Sequence, residues 1–77
     1  MKTIYKYINF VEVESKGKTS VWMCLSKDAY KLGEVKWYGP WRQYCFFPEN
    51  AIFNKGCLED VNDFIKQLMD LRKNKNI

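Results

Sequence analysis

Between Lys36 and Phe47 the chain sets cationic and amide side chains (Lys36, Arg42, Gln43) among aromatic ones (Trp37, Tyr38, Trp41, Tyr44, Phe46, Phe47). That combination has a definite use. Nucleobases stack on exposed rings at roughly 1–3 kcal/mol each while Lys or Arg meets the phosphate. A sheet face carrying aromatic residues is a common platform for single strands. The same residue types suit a protein partner, because Trp, Tyr and Arg dominate interface hot spots. A third arrangement buries the rings in a small cluster under a loop or across a homodimer.

Other chemistry is thinly represented. The chain has no His, which removes the usual general base at neutral pH and the commonest zinc ligand. Its cysteines, Cys24, Cys45 and Cys57, form no Cys-x-x-Cys pair, so no structural zinc site is expected. Phosphate-binding loops, dinucleotide fingerprints and nucleophile elbows are absent from the sequence. Glu59, Asp60 and Asp63 gather near a helix start, where carboxylates complement the positive helix end; a metal there is the less economical reading. Asp28 has no evident partner. The sequence therefore points to a non-catalytic protein with no cofactor and no metal. Widely spaced cysteines, odd in number, read as free thiols packed as small apolar groups, in a reducing cytoplasm; a Cys45–Cys57 pair has no support.

The elements that must position the aromatic segment follow from periodicity. Ile4 to Glu14 alternates imperfectly and is rich in Ile, Tyr, Phe and Val, which predicts a strand. Ser15 to Lys18 is turn chemistry, with Gly17 free to take positive φ. Thr19 to Ser26 is a second strand, with Val21, Met23 and Leu25 on one face and Ser20, Trp22, Cys24 and Ser26 on the other. After a connection, Gly33 to Tyr38 forms a third strand, Gly39-Pro40 a turn, and Trp41 to Phe47 a fourth, closed by Pro48. Ala51 to Phe53 reads as a short fifth strand or an extended lead-in. Leu58, Val61, Phe64, Ile65, Leu68 and Leu71 recur at helical spacing. Asn54 is placed to cap that helix, with Phe53 and Leu58 at hydrophobic-staple positions. Residues 74–77 read as a frayed tail.

The order is β-β-β-β-α, an antiparallel sheet followed by a C-terminal helix on one face, hence α+β. A two-residue loop at Gly39-Pro40 would set Tyr38 opposite Trp41 and Trp37 opposite Arg42. Val35, Trp37, Arg42, Tyr44 and Phe46 would then face the helix, with Arg42 stacked on Trp37. Lys36, Tyr38, Trp41, Gln43, Cys45 and Phe47 would face solvent, joined by Trp22. A three-residue loop would exchange the two sets, because a one-residue slip turns every side chain over.

Seventy-seven residues, 17% of them aromatic, make a single small domain over residues 1–77, in which large rings supply core area that short side chains cannot. A net charge of +4 is a mild attraction for polyanions. No apolar run approaches membrane-spanning length, and no secretory signal is evident.

The run Leu32-Gly33-Glu34-Val35-Lys36-Trp37-Tyr38-Gly39-Pro40-Trp41-Arg42-Gln43-Tyr44-Cys45-Phe46-Phe47-Pro48 resembles a signature of small phage, prophage and bacterial proteins, mostly uncharacterised. In that family the pattern is Leu-Gly-x-[Ile/Val]-x-Trp-Tyr-x-x-Trp-Arg-x-Tyr-x-Phe-x-Pro. A Trp-bearing strand precedes it (here Trp22), and a helix start follows (here Cys57-Leu58-Glu59-Asp60-Val61). The resemblance spans Trp22 to Leu68 and implies a phage setting, where small proteins modulate host machinery or defence. The strand order also resembles single-stranded-DNA binders of the transcriptional-coactivator type, in architecture alone. The expected function is binding of single-stranded nucleic acid or a nucleotide through Lys36, Tyr38, Trp41, Arg42 and Gln43, with Trp22 an outlier. The alternative is a phage-encoded inhibitor that binds a host protein through the same face.

Overall fold

In the computed structural model, residues 1–74 are described. Along the chain come β1 (Ile8–Lys16), β2 (Thr19–Ser26), β3 (Lys31–Tyr38), a 3₁₀ turn (Gly39–Trp41), β4 (Gln43–Pro48) and α1 (Lys55–Asn74). The strands form one antiparallel sheet in the order β1-β2-β3-β4. Each is joined to the next by a short connection, and α1 covers one face, so the α+β meander predicted from the pattern is the observed fold.

The core lies between that face and α1. Ile8, Phe10, Cys24, Val35 and Tyr44 from the sheet meet Val61, Phe64 and Leu68 from the helix. Phe64 is its centre. Its ring stacks on Phe10 at 3.9 Å and takes Trp22 edge-on at 5.1 Å. Spacings of three and four residues put Val61, Phe64 and Leu68 on one stripe. The stripe is narrower than predicted, because Leu58 and Leu71 at its ends stay exposed. Asn54 caps the helix as expected, its Oδ1 accepting the Cys57 N–H at 2.8 Å. Phe53, just before the cap, packs edge-on against Phe46 at 5.2 Å, so it anchors the helix entry to the sheet.

The first strand begins later than alternation implied. Residues 3–5 fold back on β1: Phe10 N–H donates to Thr3 O at 2.8 Å, and Tyr5 N–H to Ile8 O at 2.9 Å. The reversal delivers the Tyr5 ring to the core, where its hydroxyl donates to Asp63 at 2.6 Å and accepts from Gln67 at 2.6 Å. Asp60 accepts the Tyr7 N–H at 3.3 Å. Two members of the acidic group therefore tether the N-terminal segment, and none lies in the first helical turn. The Tyr7 ring packs where a Cβ on Gly56 would sit, so a larger residue there would have to displace that ring.

Residues 49–54 carry no strand; the segment at Ala51–Phe53 is the extended lead-in, with Ile52 fully in solvent. Asn74 is the last helical residue, and the remainder of the expected frayed tail, residues 75–77, lies outside the described residues.

The hairpin register departs from the two-residue loop. Tyr38 pairs with Gln43, Trp37 with Tyr44, Lys36 with Cys45 and Val35 with Phe46. The loop is therefore Gly39-Pro40-Trp41-Arg42, a tight turn in which Arg42 N–H donates to Gly39 O at 3.0 Å. Arg42 closes it in the left-handed region (φ 51°, ψ 47°). Proline fits the first position of such a turn, since it fixes φ and needs no partner for an N–H. The shift from the expected pairing is two residues, so it leaves the side chains of β3 and β4 on the expected faces.

Candidate functional site

The face of the sheet turned away from α1 carries the residues singled out by their chemistry. Pairing places Val11, Met23, Glu34 and Phe47 in one row across all strands. Along β3 the same face continues to Lys36 and Tyr38, and along β4 to Cys45 and Gln43. Val11 is 46% exposed and Trp41, at the loop, 66% exposed. Tyr38 takes Trp41 edge-on at 5.1 Å and Phe47 at 6.1 Å. With Cys45 and Phe46, these rings line a shallow depression of about 260 Å³. Tight packing of Phe46 on β3 holds β4 in place there. A Cβ on Gly33 would approach Phe47 O to 2.5 Å and the Phe46 ring to 2.9 Å, so the motif's glycine admits that ring.

The charges on this face are paired. Glu34, in the middle of the row, lies 3.3 Å from Lys31 and 3.5 Å from Lys36. Lys31 also meets Glu49 at 2.8 Å. The Lys36 ammonium stands 4.6 Å from the centre of the Phe47 ring. Hydrogen bonding from Lys31, and then its charge and that of Lys36, holds the Glu34 carboxyl below its usual range. Hydrogen bonds to Glu49 and Glu34 raise the Lys31 ammonium above its usual value. All of these groups are solvated, and screening keeps such surface pairs weak.

Of the residues expected to form one surface, Lys36, Tyr38 and Gln43 are brought together on the open face, with Trp41 beside them. Trp41 and Arg42 belong to the loop, where the four-residue turn removes both from the ladder. Arg42 therefore does not lie opposite Trp37. The cation stacked on Trp37 is Arg72, 4.0 Å above the ring, reaching back from the last turn of α1. Trp22 is on the opposite side of the sheet. It pairs with Val35, packs on Phe64, and donates its indole N–H to Ser20 Oγ at 2.7 Å. It is half-buried core and no part of the open surface. Its neighbour in sequence, Met23, is the β2 residue that faces outward.

Sequence reasoning missed the aliphatic half of the face, Val11, Val21, Met23 and Leu25, and the central role of Glu34. The signal was present in β2, whose two faces were sorted by alternation. What was lacking was the choice between them, which Cys24 decides by packing in the core. Burial raises the Cys24 thiol to about 12, with smaller contributions from Cys57 and Asp60. Cys45 lies on the open face and Cys57 packs against the core, so the sheet separates them, and all three thiols are free.

Among the described residues, no helix is long and apolar enough to cross a membrane. No family model and no solved structure matches the chain. It is 38% identical over 71 residues to a protein of Acholeplasma phage L2 named "Uncharacterized 9.3 kDa protein", an alignment covering 88% of this chain and 91% of that relative. Identity of this extent over nearly the whole of both chains makes this a member of the family of small phage proteins to which the Acholeplasma phage L2 protein belongs.

Proposed function

We propose that this chain is a non-catalytic binding protein whose open sheet face takes up a protein partner, and that in its phage setting the partner belongs to the bacterial host. The observation that carries this reading is the row Val11, Met23, Glu34, Phe47, flanked by Tyr38 and Trp41. Apart from Glu34 it is apolar and aromatic, and Lys31 and Lys36 are already engaged by Glu34 and Glu49. Interfaces concentrate their energy in such aromatic anchors surrounded by paired polar groups. A phosphate backbone would have to compete with those glutamates for the same lysines. The test is affinity capture with the wild type and with Trp41→Ala, followed by reconstitution with the purified partner. A partner held by both proteins equally would remove this face from the account.

A second reading rests on the loop. Trp41 stands two-thirds exposed beside Tyr38, and Arg42 follows in an exposed left-handed turn. Ring and cation at one hairpin tip suit a single-stranded nucleic acid or a nucleotide. That reading requires steep salt dependence. It is tested by anisotropy of labelled oligo-dT and oligo-U at about 50 and about 300 mM salt. Arg42→Gly is the informative variant, since glycine takes the left-handed conformation without steric cost. Salt-sensitive binding weakened by that variant supports the reading, and affinity unchanged across the two salts removes it.

A further inference from the structure

A second concavity lies on the other side of the sheet, where the β1–β2 turn approaches the last turns of α1. This cleft encloses about 180 Å³. Trp22, Tyr44, Leu68 and Leu71 line it with apolar and aromatic surface, and Lys18 and Arg72 stand at its edge. Its walls are fixed by hydrogen bonds. Ser20 joins the two rings, its N–H donating to the Tyr44 hydroxyl at 3.1 Å and its Oγ accepting the Trp22 indole N–H at 2.7 Å. Arg72 is held twice, by its hydrogen bond to Lys18 O at 3.1 Å and by stacking over Trp37 at 4.0 Å. A guanidinium has five N–H donors in a rigid fork. Among the described residues the acceptor for Arg72 is Lys18 O, and the fork has donors beyond that one bond.

We propose that this cleft binds a small planar aromatic molecule carrying one anionic group. The ring lies against Trp22 and the exposed Leu71, over the buried Tyr44 and Leu68 that floor the cleft, and the anion meets Arg72 and Lys18. The cleft is a little larger than a cavity of about 150 Å³, which admits benzene. That is room for one ring system with its charged group outside. Glu12 also borders the cleft. It pairs with Trp22 across the hairpin, several residues along the strand from Lys18. Its carboxylate repels an anion from that end and accepts a ring N–H, which orients the ligand. The cleft is smaller and more polar than most small-molecule sites, which limits its ligand to a single ring, and a fixed arginine is the usual partner of carboxylate or phosphate. This site is separate from the open face and stands or falls independently of it.

Nucleoside monophosphates and aryl carboxylates share the required chemistry. Both are tested by titrating the four nucleoside monophosphates, benzoate, indole-3-acetate and inorganic phosphate into the ¹⁵N-labelled protein to millimolar concentration. The expected result is saturable shifts at Ser20, Trp22, Tyr44 and Leu71 for at least one aromatic anion. Affinity should fall tenfold or more in Arg72→Gln, with core amides at Val61 and Phe64 undisturbed. Lys18→Met, at an exposed turn, should weaken binding in the same direction and serves if the Arg72 variant is unstable. Preference for the phosphates or for the carboxylates then assigns the source. Equal shifts with inorganic phosphate alone would show a bare anion contact and overturn the proposal. So would no shift with any probe, or shifts confined to Tyr38, Cys45 and Phe47.

Discussion

Tyr5 shows how one polar atom ties the N-terminal segment to the helix. Its ring is in the core, and its hydroxyl bridges Asp63 and Gln67. Burial, reinforced by the hydrogen bond to the Asp63 carboxylate, pushes its ionisation well above the ordinary value of 10.0. The stability this contributes is complete below the unfolded value and is lost as pH rises from there toward the displaced one. Tyr5→Phe should cost about 1–2 kcal/mol at neutral pH through two lost hydrogen bonds. It should also flatten the fall in stability above about pH 10, where an unfolded tyrosine titrates. Urea melts at pH 7 and pH 10.5 check both. Gly33→Ala should cost about 1–3 kcal/mol by overpacking against Phe46 and Phe47, a drop in Tm of several degrees in a chain of this size. At this scale the sequence was legible where a residue's role follows from its own chemistry, as for Asn54. It was not legible where the partner is distant in the chain. Arg42 and Arg72 are the same residue type, and nothing local says that Arg72, from the last turn of α1, takes the Trp37 ring.

The elements were largely readable because period-two and helical spacings occur in separate stretches of the chain. Two failures have physical causes. Ile4 to Glu14 alternates imperfectly and is rich in strand-forming residues at both ends, so the break in its pattern at Tyr7-Ile8 does not by itself announce the chain reversal between Tyr5 and Ile8. The Gly39-Pro40 pair marks a turn but does not fix its length; that Trp41 and Arg42 extend it is decided by packing of Tyr44 and Phe46 under α1. The face assignment of β3 and β4 survived because the error was even-numbered; that of Trp22 did not, because alternation sorted the two faces of β2 without deciding which meets the helix. Helix α1 depends on its cap as well as its stripe, and Asn54→Ala should cost about 0.5–2 kcal/mol, read by thermal unfolding followed at 222 nm. The two sides of the sheet should also differ in thiol chemistry. Cys24 is fully buried with a thiol raised to about 12, and thiolate is the reactive form. Alkylation of the folded protein should therefore modify Cys45 well before Cys24, as mass spectrometry of the digested product would show. Equal rates would place Cys24 outside the core.

At the scale of the molecule, helix α1 covers one side of a four-stranded sheet and leaves the other open. The net charge of +4 is not concentrated on that open face, where glutamates answer the lysines of β3. Balanced charge around an apolar row suits a protein surface, of a host partner or of a second copy, better than a polyanion. The most direct measurement is affinity capture from a bacterial lysate, using the wild type and Trp41→Ala, followed by calorimetry with the purified partner at about 50 and about 300 mM salt. Trp41 is mostly exposed, so its replacement should change stability by less than about 1 kcal/mol and leave a folded control. The expected result is a partner bound by the wild type at both salts and weakened at least tenfold by Trp41→Ala. Wild-type protein that retains no partner, or that binds only nucleic acid with an affinity collapsing at the higher salt, would contradict it.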